Sequence, residues 1–327
     1  MHIRFGVKLM SAQQILLGLG AKDYEIERSL RFNNDDSAYL DRTPSSTSNE
    51  NTYTTSFWVK RSGLTLGGIN HQTIFSCATD NAQIRFHASN DTLDVLFGGS
   101  SLGHLVTDQK FRDISAWYHI VVAVDTTQAT SSNRVKIYVN GSQVTSFGTE
   151  EYPALNRDSG FNSTVAHNIG RSANDSNRFL DGYLAEFHHI DGSQLTPSSF
   201  AETNSKTGQW VPKKYSGSYG TNGFHLNFSD NSNTTAATLG KDSSGNGNNF
   251  TPNNFSVTAG KDDDSMFDTP TNNFPTLSPI DKSLVGTMSN GNLRISYNYK
   301  PASKSWRSTM ALPSSGKFYW EWENEEA

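Results

Sequence analysis

Between residues 24 and 228, apolar and polar side chains alternate in short runs that end at Asn, Asp or Gly. A period of two is typical of β-strands, because successive side chains of a strand point to opposite faces. The strongest run, residues 117–124 (WYHIVVAV), is apolar nearly throughout, which predicts a central strand buried on both faces. Residues 134–139 (RVKIYV) alternate, and Asn140-Gly141 then predicts a tight hairpin because both residues tolerate positive φ.

Short strands at this spacing, with no long helical pattern between them, predict two packed antiparallel sheets. The composition agrees, because 19 Phe, 12 Tyr and 6 Trp can fill a core although hydrophobic residues make up only 34% of the chain. We therefore expect an all-β fold, a two-sheet antiparallel jelly-roll sandwich over residues 25–228.

Three flanking segments have different patterns. Residues 1–24 predict an N-terminal arm for attachment or oligomerisation, with a short helix whose apolar face lies between residues 9 and 19. Residues 229–285 are rich in Asn, Ser, Gly and Pro, which predicts a polar connector. Strand patterns return in residues 286–327 and then stop, which predicts the beginning of a second β-domain in a longer natural protein.

Charge and cysteine content exclude some partners. The formal net charge is −5 and no run of Lys or Arg forms a basic stripe, which argues against nucleic acid. Cys77 is the one cysteine, so no intrachain disulfide is expected, as is typical of assembly in a reducing cytoplasm. No segment approaches the roughly 20 apolar residues of a membrane helix, so no membrane insertion is expected. Met1 and Met10 both remain open as the natural start.

Two segments resemble a known family. Residues 117–145 contain Trp-x-His, an apolar strand, a polar loop and a strand that ends in Tyr-Val-Asn-Gly. Residues 179–187 place an Asp-Gly turn before a strand that carries Glu186. Both resemble landmarks of laminin-G-like, concanavalin A-like lectin sandwiches. Residues 286–322 are similar to the opening of a SPRY domain. An arm, then a sandwich, then such a segment is an order that resembles virion structural proteins of marine tailed phages.

The resemblance implies a non-enzymatic virion protein, a subunit of a tail or head fibre or appendage. Its sandwich would adhere to host-surface glycan or protein, and its arm would contact other virion proteins. Such a protein is assembled in the host cytoplasm and exposed on the particle. We expect a homo-oligomer, specifically a trimer, because fibres repeat about a cyclic axis. A capsid-decorating protein with no ligand and a polysaccharide-cleaving enzyme remain alternatives.

Aromatic side chains in loops are the candidate glycan-binding residues, because rings stack on sugar faces. Tyr152, Phe161 and Trp210 lie in loop-like contexts, although such rings can also pin loops to the sandwich. Glucan-cleaving enzymes of this fold resemble one another in a Glu-x-Asp-x-x-Glu strand, where two carboxylates act together. The sequence has no such triplet, so no catalytic residue is assigned.

Loop carboxylates are the candidate metal ligands. The laminin-G resemblance implies Ca²⁺ as a cofactor, and this hard ion is bound by several oxygens. Asp35 and Asp36 form one candidate pair, and Asp175 and Asp181 form another. Each of these acids could equally be solvated or form a turn.

The histidines give no zinc-ligand spacing. His188 and His189 are consecutive on a predicted strand, so their rings are expected on opposite faces and cannot share one metal. His119 lies inside the apolar run and is predicted to be a hydrogen-bonded core residue.

Overall fold

The computed structural model describes residues 2–4, 24–64, 71–79, 81–98, 102–175, 177–260, 262–282, 286–296, 305–312, 314–316, 319 and 321–323. These residues are almost entirely β-structure, with one α-helical turn, α1 (Ser131–Arg134), and one 3-10 turn (Pro197–Ser199). The strands, in chain order, are β1 (His2–Arg4), β2 (Ser29–Phe32), β3 (Tyr39–Arg42), β4 (Thr52–Arg61), β5 (Gln72–Cys77), β6 (Gln83–Phe86), β7 (Thr92–Leu96), β8 (His104–Lys110), β9 (Tyr118–Asp125), β10 (Val135–Val139), β11 (Ser142–Gln143), β12 (Phe147–Glu151), β13 (His167–Ile169), β14 (Gly182–Asp191), β15 (Ala201–Thr203), β16 (Trp210–Pro212), β17 (Phe224–Leu226), β18 (Thr251–Asn253), β19 (Ser265–Met266), β20 (Leu277–Lys282), β21 (Thr287–Ser289), β22 (Arg294–Ser296), β23 (Trp306–Ser308) and β24 (Glu321–Glu323).

Two antiparallel eight-stranded sheets form the sandwich. Sheet I has the order β11-β10-β9-β4-β14-β2-β19, and β17 also pairs with β14. Sheet II has the order β12-β8-β7-β6-β5-β13-β3-β18. Most neighbours are distant in sequence, which is the crossover pattern of a jelly roll. The predicted all-β sandwich is confirmed.

The β9–β10 ribbon has the predicted geometry. The two strands pair antiparallel from Val124 opposite Val135 to Ile120 opposite Val139. The turn that follows has φ values of 47° at Asn140 and 83° at Gly141. Both values are positive, as a type I′ hairpin turn requires.

The core fills the space between the sheets with aromatic and β-branched side chains. Sheet I contributes Phe57, Ile120, Val122, Leu184 and Phe187, and sheet II contributes Ile74, Phe75, Ile84, Phe86, Leu93, Val95 and Leu105. Phe57 stacks on Phe187 with ring centroids 5.3 Å apart. Burial of these side chains is the main favourable contribution to folding, at roughly 1.5–3 kcal/mol for each large side chain.

The outer face of sheet I is also covered. Val121 and Ala123 point away from the core and pack with Phe200, which directly follows the 3-10 turn. Trp58 and Trp117 form a neighbouring cluster under the β15–β16 hairpin. The second apolar layer explains why β9 is apolar on both faces, as predicted.

The sandwich continues past residue 228, which corrects the expected connector over 229–285. β18 pairs with β3 at the edge of sheet II, and β19 pairs with β2 at the edge of sheet I. Phe250 is fully buried in the main core, and Arg31 donates to Asp264 at 2.9 Å. This polar stretch is ordered by long-range pairing and by buried carboxylates.

The chain ends contribute to a smaller sheet of order β21-β22-β1-β24. Residues 2–4 are therefore a strand, whereas the short helix expected between residues 9 and 19 lies outside the described residues. The Tyr183 hydroxyl donates to the Gly291 carbonyl at 2.6 Å, so the middle of the 286–296 stretch contacts sheet I. The part of the chain that the structure describes contains no helix long and apolar enough to cross a membrane.

Candidate functional site

Charged and polar side chains line the outer face of sheet II at β6 and β7. Arg85 and Asp94 lie directly opposite each other in this strand pair. Their neighbours Ile84 and Val95 belong to the core, so alternation places Arg85 and Asp94 on the outer face. His71 and His87 lie beside them, with ring centroids 4.8 Å apart. We call His71, Arg85, His87 and Asp94 the outer-face cluster.

Asp94 is fully buried and only partly satisfied. Arg85 Nε donates to Asp94 Oδ2 at 3.1 Å. Within the described residues Asp94 Oδ1 has no hydrogen-bond partner. His104 Nε2 lies 3.7 Å from Oδ2 and also has no hydrogen-bond partner there. An unpaired buried carboxylate oxygen costs about 1–3 kcal/mol or more. Asp94 Oδ1 is inaccessible to solvent, so a ligand could satisfy it only after a neighbouring side chain moves.

The backbone partners of the two imidazoles fix their tautomers. His71 Nδ1 accepts from the Ala88 backbone N–H at 3.2 Å, and His87 Nδ1 accepts from the Ser89 N–H at 3.3 Å. Burial, followed by the nearby Arg85 charge, lowers the pKa of His71 to about 4, so this ring is neutral at neutral pH. A neutral ring whose Nδ1 accepts must carry its proton on Nε2.

The tautomers argue against a metal at the outer-face cluster. One nitrogen of each ring and one Asp94 oxygen lie within 4.8 Å of one another, as in a three-ligand metal site. A metal on Nε2 requires the proton on Nδ1, where it donates to an acceptor. At His71 and His87 that position faces a backbone N–H donor instead. The donor set therefore fits a hydroxyl-bearing ligand better than an ion.

Chemically, the outer-face cluster offers two N–H donors beside a carboxylate acceptor. Adjacent hydroxyls of a sugar match this pattern, because each hydroxyl both donates and accepts. The Arg85 charge is balanced by Asp94, with N and O 3.1 Å apart, so the cluster favours an uncharged ligand over an anion.

The structure does not bring the three predicted glycan-binding rings together. Phe161 is 2% exposed and stacks on Phe75 in the core, so it offers no free face to a sugar. Trp210 lies over sheet I, where its Nε1 donates to His119 Nδ1 at 3.1 Å. Tyr152 follows β12 in sheet II, half-buried, and its hydroxyl donates to Glu150 at 3.0 Å.

The structure does not gather the four predicted metal-binding acids into one site. Asp35 and Asp36 are exposed in one turn, where Asn33 donates to Asp36 at 2.5 Å. Asp175 pairs with Arg178 at 3.0 Å beside the outer-face cluster. The Asp181 carboxylate accepts from Ser62 at 3.0 Å. Burial raises the pKa of Asp181 to about 6, with the Asp35 charge contributing in the same direction.

The predicted opposite faces of His188 and His189 and the predicted core position of His119 agree with the structure. His188 donates or accepts at Tyr219 over the outer face of sheet I, whereas His189 contacts Thr55 and Asn162 in the interior. His119 is 1% exposed and bonds Ser56 at 2.9 Å, as expected of a satisfied core histidine.

Sequence reasoning missed the outer-face cluster. A signal was present, because Arg85 and His87 alternate with core positions, and Asp94 interrupts an otherwise apolar run. A charged residue on the non-core face of a strand is common, however, and the pairing of β6 with β7 could not be known.

The two sheets and their polar outer face define a class of protein, a β-sandwich of the lectin type. The family model described as the concanavalin A-like lectin/glucanases superfamily matches residues 32–199, just over half of the chain. The chain belongs to this superfamily. Comparison with curated proteins gives no match.

Several solved structures resemble the chain in part. A native heptameric SAP-like pentraxin from Limulus polyphemus is 19% identical at a TM-score of 0.39, over 53% of this chain and 80% of the pentraxin. A putative carbohydrate binding protein from Bacteroides ovatus is 17% identical at a TM-score of 0.45, over 71% of this chain and 60% of that protein. Domain 4 of the arabinanase AbnA from Geobacillus stearothermophilus, solved with arabinotriose, is 23% identical at a TM-score of 0.32, over 46% of this chain and 65% of that domain.

Proposed function

We propose that this chain is a non-enzymatic adhesion protein that binds neutral glycan at the outer-face cluster. The observation that carries the proposal is the Asp94 carboxylate, which has one unpaired oxygen and lies beside the His71 and His87 imidazoles. Once the half-buried His71 and His87 rings rotate aside, a sugar with two adjacent hydroxyls would bond the carboxylate oxygen and the imidazole N–H groups. Membership of a superfamily of lectins and glucanases supports a carbohydrate ligand.

The arrangement of acids favours binding over cleavage. Canonical glycoside hydrolysis uses two carboxyl groups about 5–10 Å apart on either side of the bond. Asp94 is already paired with Arg85, and Asp175, whose charge acts on Arg85, is itself paired with Arg178. Both acids are therefore already engaged by an arginine.

A glycan array probed with the full chain tests this proposal. The array should include neutral algal and bacterial polysaccharides as well as sialylated and sulfated glycans. We expect binding to neutral polysaccharides. Affinity should fall about 2- to 10-fold for His87→Phe, as for one neutral hydrogen bond, and about 10- to 100-fold for Asp94→Asn, as for one hydrogen bond to a charged group. Lys136→Gln on sheet I is the matched control and should bind normally.

Other outcomes would contradict the proposal. Binding only to anionic glycans, or equal binding by His87→Phe and wild type, would remove the outer-face cluster as the site. If the wild-type chain released reducing sugar from a polysaccharide, and replacement of one acidic residue abolished this release, the enzyme alternative would be established instead.

We further propose that the chain is a subunit of a phage tail or head fibre or appendage. The support is the resemblance of the arm–sandwich–SPRY-like order to virion proteins. Antibodies against residues 25–228 should label an appendage of purified particles. Labelling spread over the capsid, together with no glycan binding, would favour the capsid-decorating alternative. Light scattering tests the proposed trimer, and a monomeric mass would refute it.

A further inference from the structure

A second group of polar side chains lies on sheet I, at an irregularity of β14. The first half of β14 pairs with β2 through Leu184, and the second half pairs with β17 from Phe187 onward. Glu186 lies between these halves, where the register with β4 shifts, and its φ is 47°. Positive φ at a non-glycine residue costs about 1–3 kcal/mol and is often found where function requires it. β-Bulges likewise re-aim a side chain.

The irregularity directs the Glu186 carboxylate to the outer face, onto two histidines. Glu186 Oε2 lies 3.3 Å from His188 Nε2 and 3.0 Å from His225 Nε2. His188 and His225 face each other across β14 and β17, with ring centroids 4.1 Å apart. Glu186 is 4% exposed and His188 is 2% exposed. The Tyr24 hydroxyl donates to the same Glu186 oxygen at 2.9 Å.

The second partner of His188 distinguishes this group from the outer-face cluster. His188 Nδ1 lies 3.0 Å from the Tyr219 hydroxyl, which can either donate or accept. His188 can therefore place its proton on Nδ1, donate it to Tyr219 and expose an Nε2 lone pair. A histidine that binds metal through one ring nitrogen typically donates a hydrogen bond from the other. At His71 and His87, Nδ1 instead accepts from a backbone N–H and so cannot donate.

We propose that Glu186, His188 and His225 bind a divalent transition metal, with Zn²⁺ as the preferred ion. Two imidazole nitrogens and one carboxylate oxygen are a common zinc donor set, whereas Ca²⁺ and Mg²⁺ are bound by oxygens. Tetrahedral ligands about 2.0–2.1 Å from zinc are about 3.3 Å from one another. The two measured separations, 3.0 and 3.3 Å, are close to that value. The two imidazole rings are stacked with an interplanar angle of 15°, so they would have to rotate on binding to point both lone pairs at one ion.

The proton balance of this site is simple. Without metal, Nε2 of His188 and Nε2 of His225 contact Glu186 Oε2; on binding, the proton of each Nε2–H would move to Nδ1 of the same ring. At His188 that proton is then donated to Tyr219. The His225 side chain is 13% exposed, which gives the ion a path from solvent. The site would connect β17 and the segment at Tyr24 to the middle of sheet I.

Zinc titration of the chelator-treated full chain tests the proposal, by calorimetry and by thermal unfolding. We expect one equivalent of ZnCl₂ to bind and to raise the unfolding temperature, and Glu186→Gln and His225→Asn to lose this binding. Tyr219→Phe keeps all three ligands and should weaken zinc affinity by about 10- to 100-fold. This milder variant keeps the test decisive if Glu186→Gln does not fold.

His71→Gln is the matched control, because it changes the other His–His–Asp group while leaving sheet I intact. We expect it to keep one equivalent of zinc. No binding by the wild type, binding that Tyr219→Phe and His225→Asn leave unchanged, or binding lost in His71→Gln would each overturn the proposal. Glycan binding is measured separately, so either result stands without the other.

Discussion

A buried ion pair between Lys60 of β4 and Asp268 holds residues 268–274 against sheet I. The Lys60 amine is inaccessible and donates to Asp268 at 2.7 Å, to Asn273 at 2.8 Å and to the Phe274 carbonyl at 2.6 Å. Asp268 also accepts from Trp117 Nε1 at 3.0 Å. Burial lowers the pKa of Lys60 and raises that of Asp268, although each partner opposes the shift of the other.

Replacing Lys60 with Met should be strongly destabilising. The variant leaves the Asp268 carboxyl 4% exposed and without its cation. Breaking one side of a buried pair costs about 3–5 kcal/mol, a large fraction of a typical domain stability of about 5–15 kcal/mol. Lys60→Met/Asp268→Asn removes the stranded charge and keeps an acceptor for Trp117, so we expect it to recover at least half of that loss.

Urea unfolding followed by tryptophan fluorescence measures both variants, because Trp117 reports directly on Asp268. Hydrogen exchange shows whether residues 262–276 open alone or with the sandwich. A cost below about 1 kcal/mol for Lys60→Met would refute the reasoning, since a buried pair cannot be broken so cheaply. A double variant as unstable as the sum of its single changes would show that the two side chains do not interact.

Two further changes test the packing and the electrostatics of the sandwich. The pKa of Asp181 in the folded protein is about 6, above its ordinary value. The protonated carboxyl is therefore favoured in the folded state, and this contributes about 3 kcal/mol to the free energy of unfolding at low pH. The contribution is lost as the pH rises from about 4 to 6. Asp181→Asn should flatten that part of the urea-unfolding profile, and an unchanged profile would contradict the assignment. Gly170→Ala should lower the free energy of unfolding by more than about 2 kcal/mol, because φ is 85° and a Cβ would enter the Phe32 ring. Gly208→Ala is the control: φ is 71° but the Cβ would lie in open space, so it should cost about 1 kcal/mol. Equal thermal unfolding shifts for the two alanine variants would refute the steric part of this argument.

The sandwich itself could be predicted because its signals are local. The β9–β10 ribbon and its Asn140-Gly141 turn follow from alternation and from the φ preferences of two residues. The extent of the sandwich could not be predicted in the same way. Asp264 and Asp268 lie in a polar stretch with the composition of a linker, and their partners Arg31 and Lys60 are 233 and 208 residues away.

The candidate sites depend on features that have no sequence signature. Phe161 reads as a loop aromatic but is buried by tertiary packing. Glu186 reads as a core-facing position by strict alternation, and only its positive φ turns it toward His188. His225 joins this group through the pairing of β17 with β14, which links positions far apart along the chain.

Chemical-shift mapping with a neutral oligosaccharide identified on the array is the most direct test of the central claim. We predict that the largest changes fall on the imidazole resonances of His71 and His87 and on the amide of Asp94. The Nε2–H protons should also become protected from solvent exchange. Changes centred on Tyr152 or Trp210, with the outer-face cluster unaffected, would contradict the proposed binding site.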